Sequence, residues 1–218
     1  VRLADSGFVY NANDDAYITA LEQNLFHFSA AKTLAEVSEL NRLFRESKGY
    51  SDFRKKARAL LKVYNEQWLR TEYNTAVSVA ESASTYRRLM AQTNVFPFWE
   101  YRTVGDNRVR QEHQVLEGLI LPVNDPRWQK IMPPNGWNCR CTVVQVRKTK
   151  YPETPHEEAY RRGAEALAND TRGMFRFNPG KQRKAMPDYN PYSIRRCNDC
   201  DLAKGKTTLA FVPENELC

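Results

Sequence analysis

Cysteine and histidine are the residues of this chain best suited to metal binding or nucleophilic chemistry, and three of them lie in its central part. Cys139 and Cys141 are separated by one residue, and His113 precedes them. Residues two apart in a β-strand project from the same face, so both sulfurs could meet one partner, with His113 as a third ligand from a preceding helical turn. Structural zinc is normally tetrahedral, and no fourth ligand is evident nearby.

Close packing without a metal is the alternative for these residues, and the sequence favours it. Cys139 and Cys141 would then be small buried side chains. His113 would hydrogen-bond Asp106 or a backbone carbonyl and so fix the loop before the cysteines.

Charged residues near His113 are also expected to be structural. Asp106, Arg108 and Arg110 can form ion pairs and hydrogen bonds, and charged groups make the stronger hydrogen bonds. We expect this network to hold the loop that contains Pro134 and Gly136 rather than to form a catalytic centre.

Catalysis would have to use the same cluster. His113 with Cys139 and Cys141, near Asp106 and Glu112, could serve a metal-dependent nuclease or a cysteine hydrolase. However, Cys139 stands before a β-branched strand, not at a helix N-terminus where thiolates are activated. The sequence also has no Gly-rich phosphate loop, no His-Glu-x-x-His and no Gly-x-Ser-x-Gly. We therefore expect a protein that is not an enzyme.

A second cysteine pair near the end of the chain has the spacing of a zinc knuckle. Cys197 and Cys200 form a Cys-x-x-Cys motif, and Cys218 follows a strand-like segment over 207–212. This pattern is most of a zinc ribbon, whose fourth ligand could be His156 or a group from a neighbouring chain. Free or oxidised thiols are the alternative. Zinc is thus the one cofactor that the sequence suggests.

Helices dominate the part of the chain that precedes these motifs. A first helix is expected from 11–15 to Phe28, and a second from Ser29 or Thr33 to Lys48-Gly49. A third begins at Ser51-Asp52 and meets no proline or glycine through Gln92. If unbroken it would be about 60 Å long at 1.5 Å per residue, and a break near 82–84 would divide it in two. A helix of that reach usually packs against partners outside its own domain.

From Val95 the pattern becomes that of strands. Strands are expected over 96–103, 119–123 and 141–146, with a short helical turn over 110–117 that ends at Gly118. An amphipathic helix follows over 156–168, and 169–196 is expected to be extended, with little to bury. The predicted class is α+β: a helical N-terminal half over 1–94, a small β-containing central module over 95–148 and an extended C-terminal arm over 149–218.

The formal net charge is +7 and the pI about 9.2, which favours contact with polyanions through phosphate neutralisation. No apolar run is long enough to span a membrane, and the first five residues carry an acid where a signal peptide would begin its apolar stretch. We therefore expect a soluble intracellular protein.

The candidate nucleic-acid contacts lie among aromatic residues in the arm: Arg172, Arg176, Lys181, Arg183, Lys184, Arg195 and Arg196.

Several short motifs between 70 and 141 occur together in one order. Arg70-Thr71-Glu72 and Asn74-Thr75-Ala76 come first, followed by Asp106-Asn107-Arg108-Val109-Arg110 with His113. The last is Pro133-Pro134-Asn135-Gly136-Trp137-Asn138-Cys139-Arg140-Cys141. In combination these motifs resemble the phage Mu F-like family of head-morphogenesis proteins, over roughly residues 50–150.

The resemblance implies a minor capsid protein of a tailed bacteriophage, present in few copies. Its partners would be the portal protein and other capsid components, and it would lie inside the capsid at the portal vertex after assembly in the host cytoplasm. Non-specific contact with double-stranded DNA during packaging or ejection is a further implication. The long helix is our candidate for contact with the portal or with neighbouring copies.

Overall fold

The computed structural model describes residues 15–147, 149, 151–170, 173–188 and 190–194. Its helical N-terminal part and small central sheet confirm the predicted α+β class. The elements are α1 (Asp15–Glu46), α2 (Tyr50–Lys62), a π-helical segment (Val63–Trp68), α3 (Leu69–Met90), β1 (Phe98–Arg102), α4 (Gln111–Gln114), β2 (Ile120–Pro122), α5 (Trp128–Ile131), β3 (Thr142–Val146), α6 (His156–Leu167), α7 (Pro179–Gln182) and α8 (Pro191–Ile194).

The first helix is a single element, so the prediction of two helices before residue 48 is wrong. α1 continues through Ser29 and Thr33, where the sequence suggests a new helix start. The hydroxyl of Thr33 donates a hydrogen bond to the carbonyl of Ser29 (3.0 Å). A threonine inside a helix makes this bond to the preceding turn, whereas a cap would accept from a backbone N–H further along. The end at Glu46, just before Lys48-Gly49, agrees with the prediction.

The second helical stretch covers α2, the π segment and α3, close to the predicted range of 51–92. Gly49 is the N-cap residue, not Ser51 or Asp52. Asp52 instead lies in the first turn, and its carboxylate accepts a hydrogen bond from the backbone N–H of Lys48 (3.1 Å). The irregular part of this stretch is the π-helical segment over 63–68, whose turns are wider. The predicted break near 82–84 does not occur.

α3 continues without a break through 82–84, where other segments of the chain cover it. Ala83 is fully buried, and the hydroxyl of Ser82 donates to the carbonyl of Pro133 in the loop before β3. Small residues at 82–84 thus permit close approach of other segments. This contact joins α3 to the central module.

The sheet is antiparallel, with β1 in the centre and the order β2-β1-β3. Trp99 lies opposite Leu121 on one side and Gln145 on the other. Gly118 precedes β2 with φ of 69°, the left-handed conformation that glycine adopts readily and that ends the helical turn before it. The main core lies between this sheet and the helices around it; its largest buried members are Leu89, Trp99, Tyr101, Leu116, Leu119, Leu121, Trp128, Ile131 and Met132.

The described part of the arm, 173–188 and 190–194, is packed onto the helices, so the prediction that 169–196 has little to bury is wrong. Phe175 and Phe177 cover Val79 of α3, which has no exposed surface. Met186 and Tyr192 enter a cluster with Phe28 of α1. These apolar residues follow no helical or strand period, because each fills a separate gap, and this is why the sequence pattern does not reveal their burial.

α6 occupies nearly its predicted range. Ala159 and Gly163 point inward, whereas Tyr160 is 70% exposed and Ala164 is also exposed. Small residues therefore form the centre of the buried face of this helix. Among the described residues, no helix has both the length and the apolar character required to cross a membrane.

Two glycine substitutions test whether the arm is packed as described. A Cβ on Gly180 would overlap the Cβ and ring of Tyr86 in α3, whereas a Cβ on Gly163 in α6 would meet nothing within 4 Å. We expect Gly180→Ala to lower the free energy of unfolding by about 1–3 kcal/mol through overpacking. Gly163→Ala should raise it by about 0.5–1 kcal/mol, since alanine favours the helix. Urea denaturation measures both; equal effects would contradict the packing of α7 on α3.

Candidate functional site

The loop from Pro133 to Cys141 joins α5 to β3 and carries most of the motif residues. Its backbone is fastened to the sheet through Asn135. The hydroxyl of the fully buried Tyr101 donates to the side-chain oxygen of Asn135 (2.7 Å), and the ring of His113 meets the Asn135 carbonyl through Nε2 (3.2 Å). The loop is thereby fixed to β1 and to the α4 turn.

α3 holds the other side of the loop through Asn138, which has a left-handed backbone (φ 56°). The backbone N–H of Asn138 donates to the hydroxyl oxygen of Thr75 (3.1 Å), and its side-chain amide donates to that of Thr71 (3.4 Å). The amide of Asn74 in turn donates to the Asn138 side chain (3.3 Å). The motif residues of α3 thus bind the motif residues of the loop, a pairing that sequence spacing does not indicate.

Ion pairing fastens the loop to the 105–110 turn. The guanidinium of Arg140 donates to both carboxylate oxygens of Asp106 (2.7 and 2.9 Å), and this hydrogen bonding lowers the pKa of Asp106. Arg110 donates to the carbonyl of Trp137 (2.6 Å), and Arg108 contributes its backbone N–H to Asp106 (3.0 Å). The structure brings Asp106 and Arg110 onto the loop as sequence reasoning suggests, but it adds Arg140 as the main partner.

Pro134 and Gly136 shape this loop. Pro134 is buried and follows a cis peptide bond. A Cβ on Gly136 would stand 3.0 Å from a guanidinium nitrogen of Arg110 and 3.7 Å from Nε2 of His113. A glycine at this position therefore permits the close approach of both side chains to the loop.

His113, Cys139 and Cys141 form a compact cluster on the inner side of the loop. Nδ1 of His113 lies 3.6 Å from Sγ of Cys139 and 3.7 Å from Sγ of Cys141, and the three ligand atoms lie within 4.8 Å of one another. His113 and Cys139 are buried, and Cys141 is half-buried. Residues 139–141 precede β3 and do not belong to it. The two sulfurs therefore lie close together, as predicted, but not because they are on one face of a strand.

The two thiols differ in acidity. Hydrogen bonding from Cys141, with a further contribution from His113, lowers the pKa of Cys139 to about 4 against the opposing effect of burial. The hydrogen bond to Cys139 and burial raise the pKa of Cys141. These surroundings make Cys139 the more acidic of the two thiols.

Two clefts include the cysteine pair in their walls. One, of about 420 Å³, lies against α3 and is lined by residues that include Glu81, Ser82 and both cysteines. The other, of about 250 Å³, lies beside the 104–110 turn and is lined by both cysteines with His113. A small ion or water could reach the sulfurs through either cleft.

The candidate nucleic-acid contacts of the arm are partly engaged within the chain. Arg176 donates to the carbonyls of Leu167 (2.8 Å) and Asp170 (2.5 Å), and Lys184 is paired with Asp188. Arg183 lies over the ring of Tyr17, 5.9 Å from its centre, and Lys181 is exposed. Arg172, Arg195, Arg196, Cys197, Cys200 and Cys218 lie outside the described residues.

A basic surface on the helical hairpin of α1 and α2 is not among the sequence predictions. Residues 42–62 hold eight basic and two acidic side chains. Arg54, Lys55 and Arg58 are exposed on α2, whose only buried residue is Ala57. A count of charge along the sequence could have found this surface, since residues 42–62 carry a net charge of +6.

Replacing Thr75 by valine tests the bond between α3 and the loop. Thr75 is fully buried, donates to the carbonyl of Thr71 (2.7 Å) and accepts from Asn138. We expect Thr75→Val to lower the free energy of unfolding by about 1–2 kcal/mol, because the Asn138 N–H loses its acceptor. Thr33→Val is the matched control: Thr33 makes the same bond to the preceding turn but is exposed and accepts no bond from a loop. Similar losses in urea denaturation would contradict the role of Thr75.

Comparisons with known proteins agree on one family. Residues 38–144 match the family described as Phage Mu protein F like protein. The chain is 36% identical over 92 residues to the putative capsid assembly protein F of Escherichia phage Mu, covering 42% of this chain and 21% of that protein. It is 34% identical over 120 residues to the Mu-like prophage FluMu F protein of Haemophilus influenzae, covering 52% and 29%.

The matched region is the part of the chain that holds the site. The chain spans about a fifth to under a third of the length of these two relatives, and no solved structure matches it. Residues 38–144 include α3, the braced loop, His113 and both central cysteines. Over this region the chain is similar to the Mu F-like proteins.

Proposed function

We propose that this chain acts in capsid assembly as a minor head-morphogenesis component of a tailed phage or prophage. The observation that carries the proposal is the match of residues 38–144 to a family whose relative in phage Mu is named as a putative capsid assembly protein. The role is architectural: the motif residues bind one another across α3, the loop and the 105–110 turn.

Catalysis by the cysteine cluster is the weaker alternative. Cys139 is only 3% exposed, and Nε2 of His113 faces the carbonyl of Asn135. A cysteine nucleophile must meet its substrate and pass a proton to a base that can release it. A buried thiol beside a histidine that already holds a loop suits neither requirement.

Contact with the portal or with neighbouring copies fits the outer face of α3. Leu69 and Tyr73 stand one helical turn apart and are 52% and 53% exposed. Apolar side chains in this position gain free energy when a partner covers them. We therefore place the contact with another head component at these two residues.

The first test is whether the protein is part of the head. Deleting its coding sequence from the genome that carries it should reduce the yield of normal heads, counted by electron microscopy, and restoring the gene should recover it. Immunoblotting should find the protein in purified heads. Normal heads in normal number, together with absence of the protein from heads, would refute the proposal.

Photo-crosslinking in the same heads locates the contact. A benzoylphenylalanine at position 73 should yield a crosslink to the portal protein or to a second copy. The same residue at position 160 is the matched control, because Tyr160 is also an exposed helical tyrosine but lies on α6. Equal crosslinking at both positions would remove the assignment to α3 while leaving the role in the head intact.

Non-specific binding to double-stranded DNA is a second part of the proposal, and the hairpin is expected to contribute more than the arm. Its basic residues Arg54, Lys55 and Arg58 are exposed, whereas Arg176 and Lys184 of the arm already have partners within the chain. Each phosphate contact that is lost should lower the slope of log affinity against log salt by about 0.9.

Charge reversal distinguishes the two surfaces. The variant Arg54→Glu, Lys55→Glu, Arg58→Glu should weaken binding of a random-sequence duplex and flatten its salt dependence, measured by fluorescence anisotropy. The variant Arg172→Glu, Lys181→Glu, Arg183→Glu carries the same charge change in the arm. A larger loss with the arm variant would assign DNA contact to the arm, and no salt-dependent binding by the unmodified protein would exclude this part of the proposal.

A further inference from the structure

We propose that His113, Cys139 and Cys141 bind one zinc ion, with water as the fourth ligand. This proposal does not depend on the proposed function. It rests on three ligand atoms within 4.8 Å of one another, supplied by the α4 turn and by the loop that enters β3. Two sulfurs and one imidazole nitrogen form a ligand set typical of zinc in proteins.

The distances between the ligand atoms fit an ion at their centre. With zinc–sulfur bonds of about 2.3 Å and zinc–nitrogen bonds of about 2.0–2.1 Å, a tetrahedral site separates sulfur from nitrogen by about 3.6 Å. Nδ1 of His113 lies 3.6 and 3.7 Å from the two sulfurs. Both nitrogen–sulfur distances therefore match those around a bound zinc ion.

The orientation of His113 also suits a ligand. Its Nε2 lies 3.2 Å from the carbonyl of Asn135, so Nε2 carries the proton and Nδ1 presents its lone pair to both sulfurs. A histidine that binds a metal usually donates its other N–H to a carbonyl or carboxylate in this way, which fixes the ring and its tautomer. The bond to Asn135 thus prepares Nδ1 for coordination.

Packing without a metal explains the same geometry less completely. A neutral imidazole has one acceptor nitrogen, and here two thiols approach that nitrogen at nearly equal distances. Only one S–H can donate to that lone pair, so without a metal the other thiol has to use a different partner, such as the neighbouring cysteine. A single ion satisfies the nitrogen and both sulfurs together.

Access to the fourth position comes from the clefts. Cys141 is half-buried, and both clefts include Cys139 and Cys141 in their walls. Within the described part of the chain, the group of potential ligands comprises these three residues alone. A water molecule entering through either cleft completes the tetrahedron.

The test separates this site from the cysteines near the end of the chain. A background variant with Cys197→Ser, Cys200→Ser and Cys218→Ser retains only the central pair. Purified with zinc present, it should hold about one zinc per chain by elemental mass spectrometry. Exchange for cobalt should give sulfur-to-cobalt charge-transfer absorption and the intense visible bands of a four-coordinate ion.

Single substitutions in that background identify the ligands. Cys141→Ser should reduce the charge-transfer absorption by about half per bound cobalt, and His113→Ala should weaken cobalt binding at least tenfold. Circular dichroism will show which variants remain folded, and Thr33→Val in the same background is a control that should retain full binding. Zinc should also raise the thermal midpoint of the background variant but not that of the variant with both central cysteines replaced.

Three outcomes would overturn the proposal. The folded background variant could hold no zinc and give no sulfur-to-cobalt absorption. The metal could remain unchanged when Cys141 or His113 is replaced. The chain could instead be isolated with a mass lower by two hydrogen atoms and without metal, which would indicate a disulfide between Cys139 and Cys141.

Discussion

The loop from Pro133 to Cys141 has to satisfy its polar backbone groups while it lies between a helix and a sheet, and much of the site follows from this requirement. Buried N–H and carbonyl groups need hydrogen-bond partners, and a loop supplies few of its own. Here Thr75 accepts from the N–H of Asn138, Arg110 donates to the carbonyl of Trp137, and His113 donates to the carbonyl of Asn135. The three partners come from α3, from the residue before α4 and from α4 itself, so one loop fixes the positions of these elements relative to one another.

Local pattern predicts most of the secondary structure and fails where tertiary contacts decide. The three strands and the long helical stretch carry clear periodicity, and the structure has them near their predicted bounds. The division of α1 at Ser29 and Thr33 is wrong because hydroxyl residues suit both a cap and a helix interior, and only the surroundings select between them. No sequence period connects the buried residues Phe175, Phe177 and Met186, because each side chain fills a separate gap left by α1 and α3. Their burial could therefore not be predicted from local pattern.

The site, too, is only partly predictable, because some of its contacts depend on tertiary structure and not on local pattern. Two cysteines separated by one residue must lie near each other. His113 is expected beside them because imidazole and two thiols are suitable ligands for one metal ion. The contacts of Asn138 with Thr71 and Thr75 join residues more than sixty positions apart, and nothing in either segment indicates the other. Arg140 lies between the cysteines but is exposed and reaches Asp106, a pairing that its position in the sequence does not indicate.

The matched region is completed by residues outside it, which bears on how it functions inside longer relatives. Trp137 of the loop packs edge-on against Phe175, with ring centres 5.2 Å apart, and lies 6.3 Å from the ring of Phe28. Both phenylalanines lie beyond the 38–144 range, and side-chain contacts cross the predicted boundaries near 94 and 148. The domain limits remain predictions, and these ring contacts show that α1 and the arm partly cover the aromatic side of the loop. We expect a longer protein that contains this region to provide apolar contacts at the same place, from its own chain or from a partner in the assembly.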